Sequence, residues 1–195
     1  MPSKALARFK IQISNAEILR RTNSHLKNQD RQIYYHASLA TTVAAWDAFV
    51  KGITLEFNAR VLLYSQSIAY QIIYTALKKQ LEEKNRKLNT PNYENARNHI
   101  LDFTGYDTIP VWNYPRANLN SQQVKDRVGE IFKVRHSFAH GFSIPSLNWT
   151  TPPRGGAPRL TALDVEFNEK LFTHLTKITD KNLEHHLTSN FGTSF

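Results

Sequence analysis

The chain has 195 residues and a formal net charge of +9, and hydrophobic residues make up 41% of it. These values are ordinary for one soluble domain with a core of its own, so residues 1–195 are interpreted as a single domain. The lack of cysteine excludes disulfides and thiolate metal sites, and no run is long and apolar enough to span a membrane. We therefore expect a cytoplasmic protein.

Helical periodicity dominates the first part of the chain. A first helix is predicted over about residues 3–28, which makes residues 1–29 an N-terminal helical segment. The clearest helical face follows, because its apolar residues alternate steps of four and three positions. Those residues are Leu39, Val43, Trp46, Val50, Ile53 and Phe57.

Two further helices are predicted before the middle of the chain. One covers about residues 63–88, with Ile68, Ile72 and Ala76 on one side and a strongly charged end. A break with Pro91 separates it from a short helix over about residues 93–103, which ends at Gly105.

The second half contains two long irregular stretches. Residues 106–120 include two prolines and three asparagines, and residues 143–160 include four prolines and two glycines. We expect the second stretch to be a flexible Pro/Gly loop. Between them Ser121 is the predicted N-cap of a helix that runs to about His140. With a last helix over about residues 163–188, the chain is predicted to be an all-α helical bundle with two long loops.

The segment 135–141, Arg-His-Ser-Phe-Ala-His-Gly, gives the strongest functional signal. The helix that leads into it has an apolar stripe formed by Val124, Val128, Ile131 and Phe132. At about 100° per residue, Arg135 falls near the middle of that stripe. A permanent cation in a packed face is costly unless it has a partner or lines a pocket. With His140 five residues later, the segment offers a cation and a proton-transfer group, which suits the binding of phosphate.

Structural interpretations of these residues stay open. Arg135 could lie along apolar surface or pair with Asp47 or Glu130, and His140 could cap the helix, whose dipole favours a cation there. His136 and His140 have a spacing that can bind zinc. No carboxylate or third histidine lies nearby in sequence, so neither a metal nor another cofactor is expected.

Arg135-x4-His140 resembles the R-x(4–6)-H motif of HEPN domains (higher eukaryotes and prokaryotes nucleotide-binding). Residues 44–50, an apolar run with Asp47 inside it, are similar to an early-helix signature of these domains. Residues 89–95 and 100–105 resemble the segment before the motif helix in the RiboL-PSP type of HEPN protein. The resemblance spans roughly residues 30–185, and the first segment adds little to it.

The resemblance implies a metal-independent endoribonuclease with a HEPN-like fold. Such enzymes usually form homodimers whose motifs face each other, and many are toxins or antiviral defence effectors. The ribose 2′-OH attacks the adjacent phosphorus, so the protein must supply a base, an acid and a cation. His140 is the candidate for proton transfer and Arg135 for phosphate binding. His136 and Asp47 are supporting candidates, Asp47 as the partner of Arg135.

The basic charge balance suits a polyanion, above all nucleic acid, but the lysines and arginines are scattered, so a solvated basic face without a partner is an equal alternative. The resemblance implies that the partner is RNA. Arg154 and Arg159 in the second loop are candidates for phosphate contacts, although solvated loop charge is the commoner case. Trp149 and Trp112 could stack on bases, but loop aromatics more often pack against the end of a bundle. An antitoxin or defence-system protein is a further possible partner. Two other functions stay open: a non-catalytic module that binds RNA or a nucleotide, and the protein-interaction half of a toxin–antitoxin pair.

Overall fold

The computed structural model describes residues 2–22, 26–64, 67–88, 91–141, 143–153 and 155–195. Within these ranges the chain forms six α-helices and no strand. They are α1 (Lys4–Arg21), α2 (Asn28–Tyr64), α3 (Ile68–Lys87), α4 (Tyr93–Thr104), α5 (Ser121–Ala139) and α6 (Ala162–Phe191). The predicted all-α bundle is confirmed, and long irregular segments flank α5 on both sides. None of the described helices is long and apolar enough to cross a membrane.

The start of α5 differs by one residue from the prediction. Asn120 is the N-cap, because its side chain accepts a hydrogen bond from the N–H of Gln123 at 2.9 Å. The side chain of Gln123 accepts the N–H of Asn120 in return, which completes a capping box. Ser121, the predicted cap, is the first residue of the helix, and its hydroxyl lies 2.7 Å from that of Tyr93.

The 37-residue helix α2 is the centre of the bundle, and each of the other five described helices packs against it. The six apolar residues predicted for its packed face are all buried. Trp46 is fully buried among them and donates its indole N–H to the carbonyl of Pro91 at 2.8 Å. Its ring also packs beside that of Trp112.

Trp112 is a core residue. Its side chain is fully buried, and its indole N–H donates to the hydroxyl of Thr179 at 2.8 Å. The interpretation of Trp112 as a loop aromatic that packs against the bundle is therefore confirmed, and the alternative of base stacking is wrong. The loop of residues 106–120 packs against the bundle, because burial of the Trp112 indole removes its apolar surface from water.

The predicted apolar side of α3 is not its packed side. Ile68, Ile72 and Ala76 are exposed, whereas Tyr74 and Leu81 are buried. The helix contains more apolar positions than one stripe needs, and its contact with α2 selects which of them are covered.

A buried ion pair joins α1 to α6. The Nε atom of Arg20 donates to both carboxylate oxygens of Glu169, at 3.1 and 3.0 Å, and the hydroxyl of Ser38 donates to the same carboxylate at 3.0 Å. The side chains of Arg20 and Glu169 are only 10% and 8% exposed. Burial raises the pKa of Glu169, while Arg20 and the hydrogen bonds oppose that shift.

This ion pair predicts the effect of removing its acid. Glu169→Ala leaves Arg20 buried with only the more distant carboxylates of Glu166 and Glu17, so the free energy of unfolding should fall by about 3 kcal/mol. Urea unfolding of the variant measures this. The double variant with Arg20→Leu and Glu169→Leu removes both charges and should regain much of the lost free energy of unfolding.

The control is Glu83→Ala, which breaks an exposed pair with Lys87 and should cost less than about 0.5 kcal/mol. Equal losses for Glu169→Ala and Glu83→Ala would contradict the structural role of the buried pair.

Candidate functional site

The segment 135–141 forms the last turn of α5 and the turn that follows it. His140 is the C-terminal cap, and Gly141 adopts a left-handed conformation with φ of 68°. Val134 and Ser137 are buried, whereas Arg135 is exposed. The predicted position of Arg135 within the packed face is therefore wrong. The apolar stripe takes a three-residue step from Ile131 to Val134, and periodicity allows that step as readily as a four-residue one.

Arg135 makes no hydrogen bond or ion pair with any residue that the structure describes. Asp47, its predicted partner, pairs instead with Lys51, whose Nζ lies 2.8 Å from Oδ2. One stripe of α2 carries Asp47, Lys51 and Thr54, and the hydroxyl of Thr54 lies 3.2 Å from Nε2 of His99 on α4. The predicted pairing is thus wrong, because that stripe faces α4 rather than the end of α5.

Arg135, His136 and His140 are exposed together at the end of α5. The rings of His136 and His140 are 4.2 Å apart between centroids, since residues four apart meet on one side of a helix. Within the described part of the chain, no group of three or more histidine, cysteine, aspartate or glutamate residues could hold a metal ion. The end of α5 therefore presents two imidazoles and a guanidinium at the surface.

His36 is the neighbour of this segment that the sequence interpretation missed. Its ring stacks on that of Phe138, with centroids 4.2 Å apart and planes within 9°. His36 is buried, its Nδ1 has no partner among the described residues, and burial lowers its pKa. This neutral ring attaches the last turn of α5 to α2. The helical spacing from His36 to Leu39 and Val43 was the available signal, because it places His36 in the packed face.

Trp149 connects the second loop to α5. The guanidinium carbon of Arg127 lies 3.9 Å from the centre of its ring, and the indole N–H donates to Glu130 at 2.9 Å. Burial lowers the pKa of Arg127 to about 10. One face of Trp149 and its only hydrogen-bond donor are therefore occupied within the chain. This is a packing role, distinct from the base stacking predicted for it.

The structure describes only one of the two arginines, Arg154 and Arg159, that are predicted to contact phosphate. Arg159 is exposed, and its backbone N–H donates to the carbonyl of Thr150 at 2.8 Å, which holds the end of the loop in place. Its side chain lines a cavity between α2 and the start of α6. Arg154 lies outside the described residues.

Comparison with protein families gives a match between residues 4–185 and the family described as RiboL-PSP-HEPN. The match begins at α1, so the expectation that the first segment adds little to the resemblance is wrong. Comparison with curated proteins and with solved structures finds no match.

The stack of His36 on Phe138 predicts local stability at the end of α5. His36→Ala should lower the free energy of unfolding by about 2 kcal/mol and speed amide hydrogen exchange in residues 134–140. His36→Phe keeps a stacked ring and removes a buried nitrogen without a partner, so its exchange should stay close to wild type. His185→Ala on the exposed side of α6 is the control. Unchanged exchange in His36→Ala would show that the stack does not hold this turn.

Proposed function

The chain belongs to the RiboL-PSP-HEPN family, and from that premise we propose that it is a metal-independent endoribonuclease. The observation that carries the proposal is the exposed guanidinium of Arg135, which has no partner among the described residues and lies in sequence directly before His136, whose ring adjoins that of His140. An exposed arginine on a chain of net charge +9 is suited to a polyanionic ligand.

These groups suit cleavage by the substrate's own ribose. The 2′-oxygen bonds to the adjacent phosphorus, a base takes its proton, and the bond to the 5′-oxygen of the next nucleotide breaks as an acid protonates that oxygen. The products are a 2′,3′-cyclic phosphate and a 5′-hydroxyl. Arg135 binds the phosphate and stabilises the charge of the pentacovalent intermediate. His140 transfers a proton, and His136 orients the RNA beside it.

One protomer supplies only half of such a site. The entering and leaving oxygens lie on opposite sides of the phosphorus, so base and acid must approach from opposite sides. The rings of His136 and His140 are in contact on one side of α5, so they do not flank a phosphate between them. A two-fold homodimer supplies the opposite imidazole.

Exposed apolar side chains next to the motif support this dimer. Phe138 is 44% exposed within the motif, and Ile33, one turn before His36 on α2, is 59% exposed. Contact between two copies would cover both side chains.

The enzyme acts on cellular RNA in the cytoplasm as a toxin or antiviral effector, and a partner protein restrains it until it is needed.

The chemistry predicts how cleavage depends on metal. RNA cleavage should continue in excess EDTA, because the substrate supplies the nucleophile and protein side chains supply the cation and the proton transfers. Mass spectrometry of the fragments should find 2′,3′-cyclic phosphate and 5′-hydroxyl ends. Loss of activity in chelator, or 3′-hydroxyl and 5′-phosphate ends, would refute the mechanism.

The motif residues predict a loss of activity without a loss of stability. His140→Ala and Arg135→Ala should each reduce the cleavage rate at least about 100-fold. Because both side chains are exposed, the melting temperature should stay within about 2 °C of wild type. Arg135→Lys should remain poor, since an ammonium lacks the bidentate geometry of a guanidinium.

The matched controls are His185→Ala and Arg86→Ala, which remove exposed side chains of the same two types on α6 and α3. Both should keep wild-type rates. Folded and fully active His140→Ala and Arg135→Ala would remove the motif from the mechanism.

The shared site predicts that activity requires a dimer. Ile33→Glu should convert the protein to a monomer in light scattering and abolish cleavage, because a charge replaces an apolar contact of the interface. Ile72→Glu, at a similarly exposed isoleucine of α3, should leave both the mass and the activity unchanged. A strict monomer that still cleaves RNA would exclude the shared site.

A further inference from the structure

A cavity of about 360 Å³ lies between α2 and the start of α6. Gln32 fixes its wall, because its side-chain amide donates to the carbonyl of Leu160 at 2.8 Å and accepts the N–H of Leu160 at 2.9 Å. Two hydrogen bonds from one side chain hold the end of the loop against α2. The cavity is therefore formed before any ligand binds.

Tyr35 is the unusual residue of this cavity. Its side chain is only 8% exposed, it lines the cavity, and its hydroxyl makes no hydrogen bond with any residue that the structure describes. The hydroxyl oxygen is not among the fully buried atoms without a partner, so it is accessible and its hydrogen is available to a ligand. An oxygen acceptor in the cavity would take that hydrogen bond in place of water.

The charges around Tyr35 favour an anion. Arg31 and Arg159 line the same cavity, and Nε of Arg31 is oriented by donating to the carbonyl of Leu26 at 2.8 Å. The 30-residue helix α6 begins at Ala162 on the cavity wall. The N–H groups of its first turn have no intrahelical acceptor, and the helix dipole adds partial positive charge there.

The nearest acid of this helix end, Asp164, is bound in the capping box. Its carboxylate accepts the backbone N–H of Thr161 at 3.0 Å and the hydroxyl of Thr161, while its own N–H donates to that hydroxyl at 3.2 Å. The backbone N–H groups of Ala162 and Leu163 are then the donors that the first turn offers to a ligand. The side chain of Asp164 lines the neighbouring groove that Trp149 also lines, and it does not line the cavity of Tyr35. The cavity therefore combines two guanidinium groups, a phenol and a helix N-terminus with no carboxylate in its wall, which are the donors that bind phosphate.

Helix α2 connects the cavity to the motif. Tyr35 lines the cavity, and the next residue, His36, stacks its ring on that of Phe138 within the motif. We propose that this cavity binds a backbone phosphate of the RNA strand next to the phosphate that is cleaved. The inference rests on the proposed function for the identity of the ligand as RNA. It adds Tyr35, Arg31 and the start of α6 to the RNA-binding surface and gives Arg159 a defined ligand.

Fluorescence anisotropy with a labelled 2′-O-methyl RNA oligonucleotide tests the proposal, because blocking the 2′-oxygen prevents cleavage and leaves binding alone. Arg159→Gln should weaken binding about tenfold. It should also reduce the slope of log K against log salt concentration by about 0.7, the value for one phosphate contact on a single strand. Tyr35→Phe should weaken binding about fivefold and leave that slope unchanged, since only a neutral hydroxyl is lost.

Arg86→Gln is the control at an exposed arginine of α3 and should bind like wild type. Wild-type affinity in both Tyr35→Phe and Arg159→Gln would overturn the proposal, and Tyr35→Phe is close enough in shape to remain folded. A nucleoside monophosphate that displaces the oligonucleotide, with an affinity of its own that falls in the same variants, would identify a free-nucleotide site and overturn the assignment to RNA. If wild type binds with the expected dependence on Arg159 but never cleaves RNA, the subsite stands and the proposed enzyme does not.

Discussion

The packed face of α2 is the constraint on which the rest of the structure depends. Every other described α-helix contacts this one helix, so positions along it determine where each of them lies. His36 near its start contacts the end of α5, and Trp46 forms the centre of the core. Near its end, the carboxylate of Glu56 accepts the first N–H groups of α1, at 3.1 Å from both Lys4 and Ala5. A change in the packing of α2 therefore reaches the motif and the N-terminal helix together.

Four arginines that matter for the fold and the proposed sites occupy two different environments. Arg20 and Arg127 are largely buried and satisfied within the chain, the first by a carboxylate and the second by aromatic rings and the side-chain oxygen of Asn168. Arg135 and Arg159 are exposed, and they lie at the end of α5 and at the cavity beside it. Buried arginines stabilise contacts between helices, because the cost of removing them from water is met by hydrogen bonds. The proposed function and the proposed subsite use the donors of the two exposed arginines to bind phosphate.

The proposed site and the proposed subsite share one support. His36 holds the last turn of α5 through Phe138, and its neighbour Tyr35 lines the cavity. Two successive residues of one rigid helix thus relate the motif to the cavity, which favours a fixed distance between two phosphates of a bound strand. The proposed dimer would cover the part of Phe138 that stays exposed.

The sequence by itself determined the helices, the packed face of α2 and the family resemblance, because each depends on residues a few positions apart. It did not determine the environment of Arg135. A step of three or four residues from Ile131 is equally helical, and only the contact of α5 with the bundle decides that Val134 is buried and Arg135 exposed. The partner of Glu169 is 149 residues away in Arg20, and the ring under Phe138 comes from His36 on another helix. Such pairings are decided by the tertiary structure, because they depend on which helix faces meet and no local pattern records that choice.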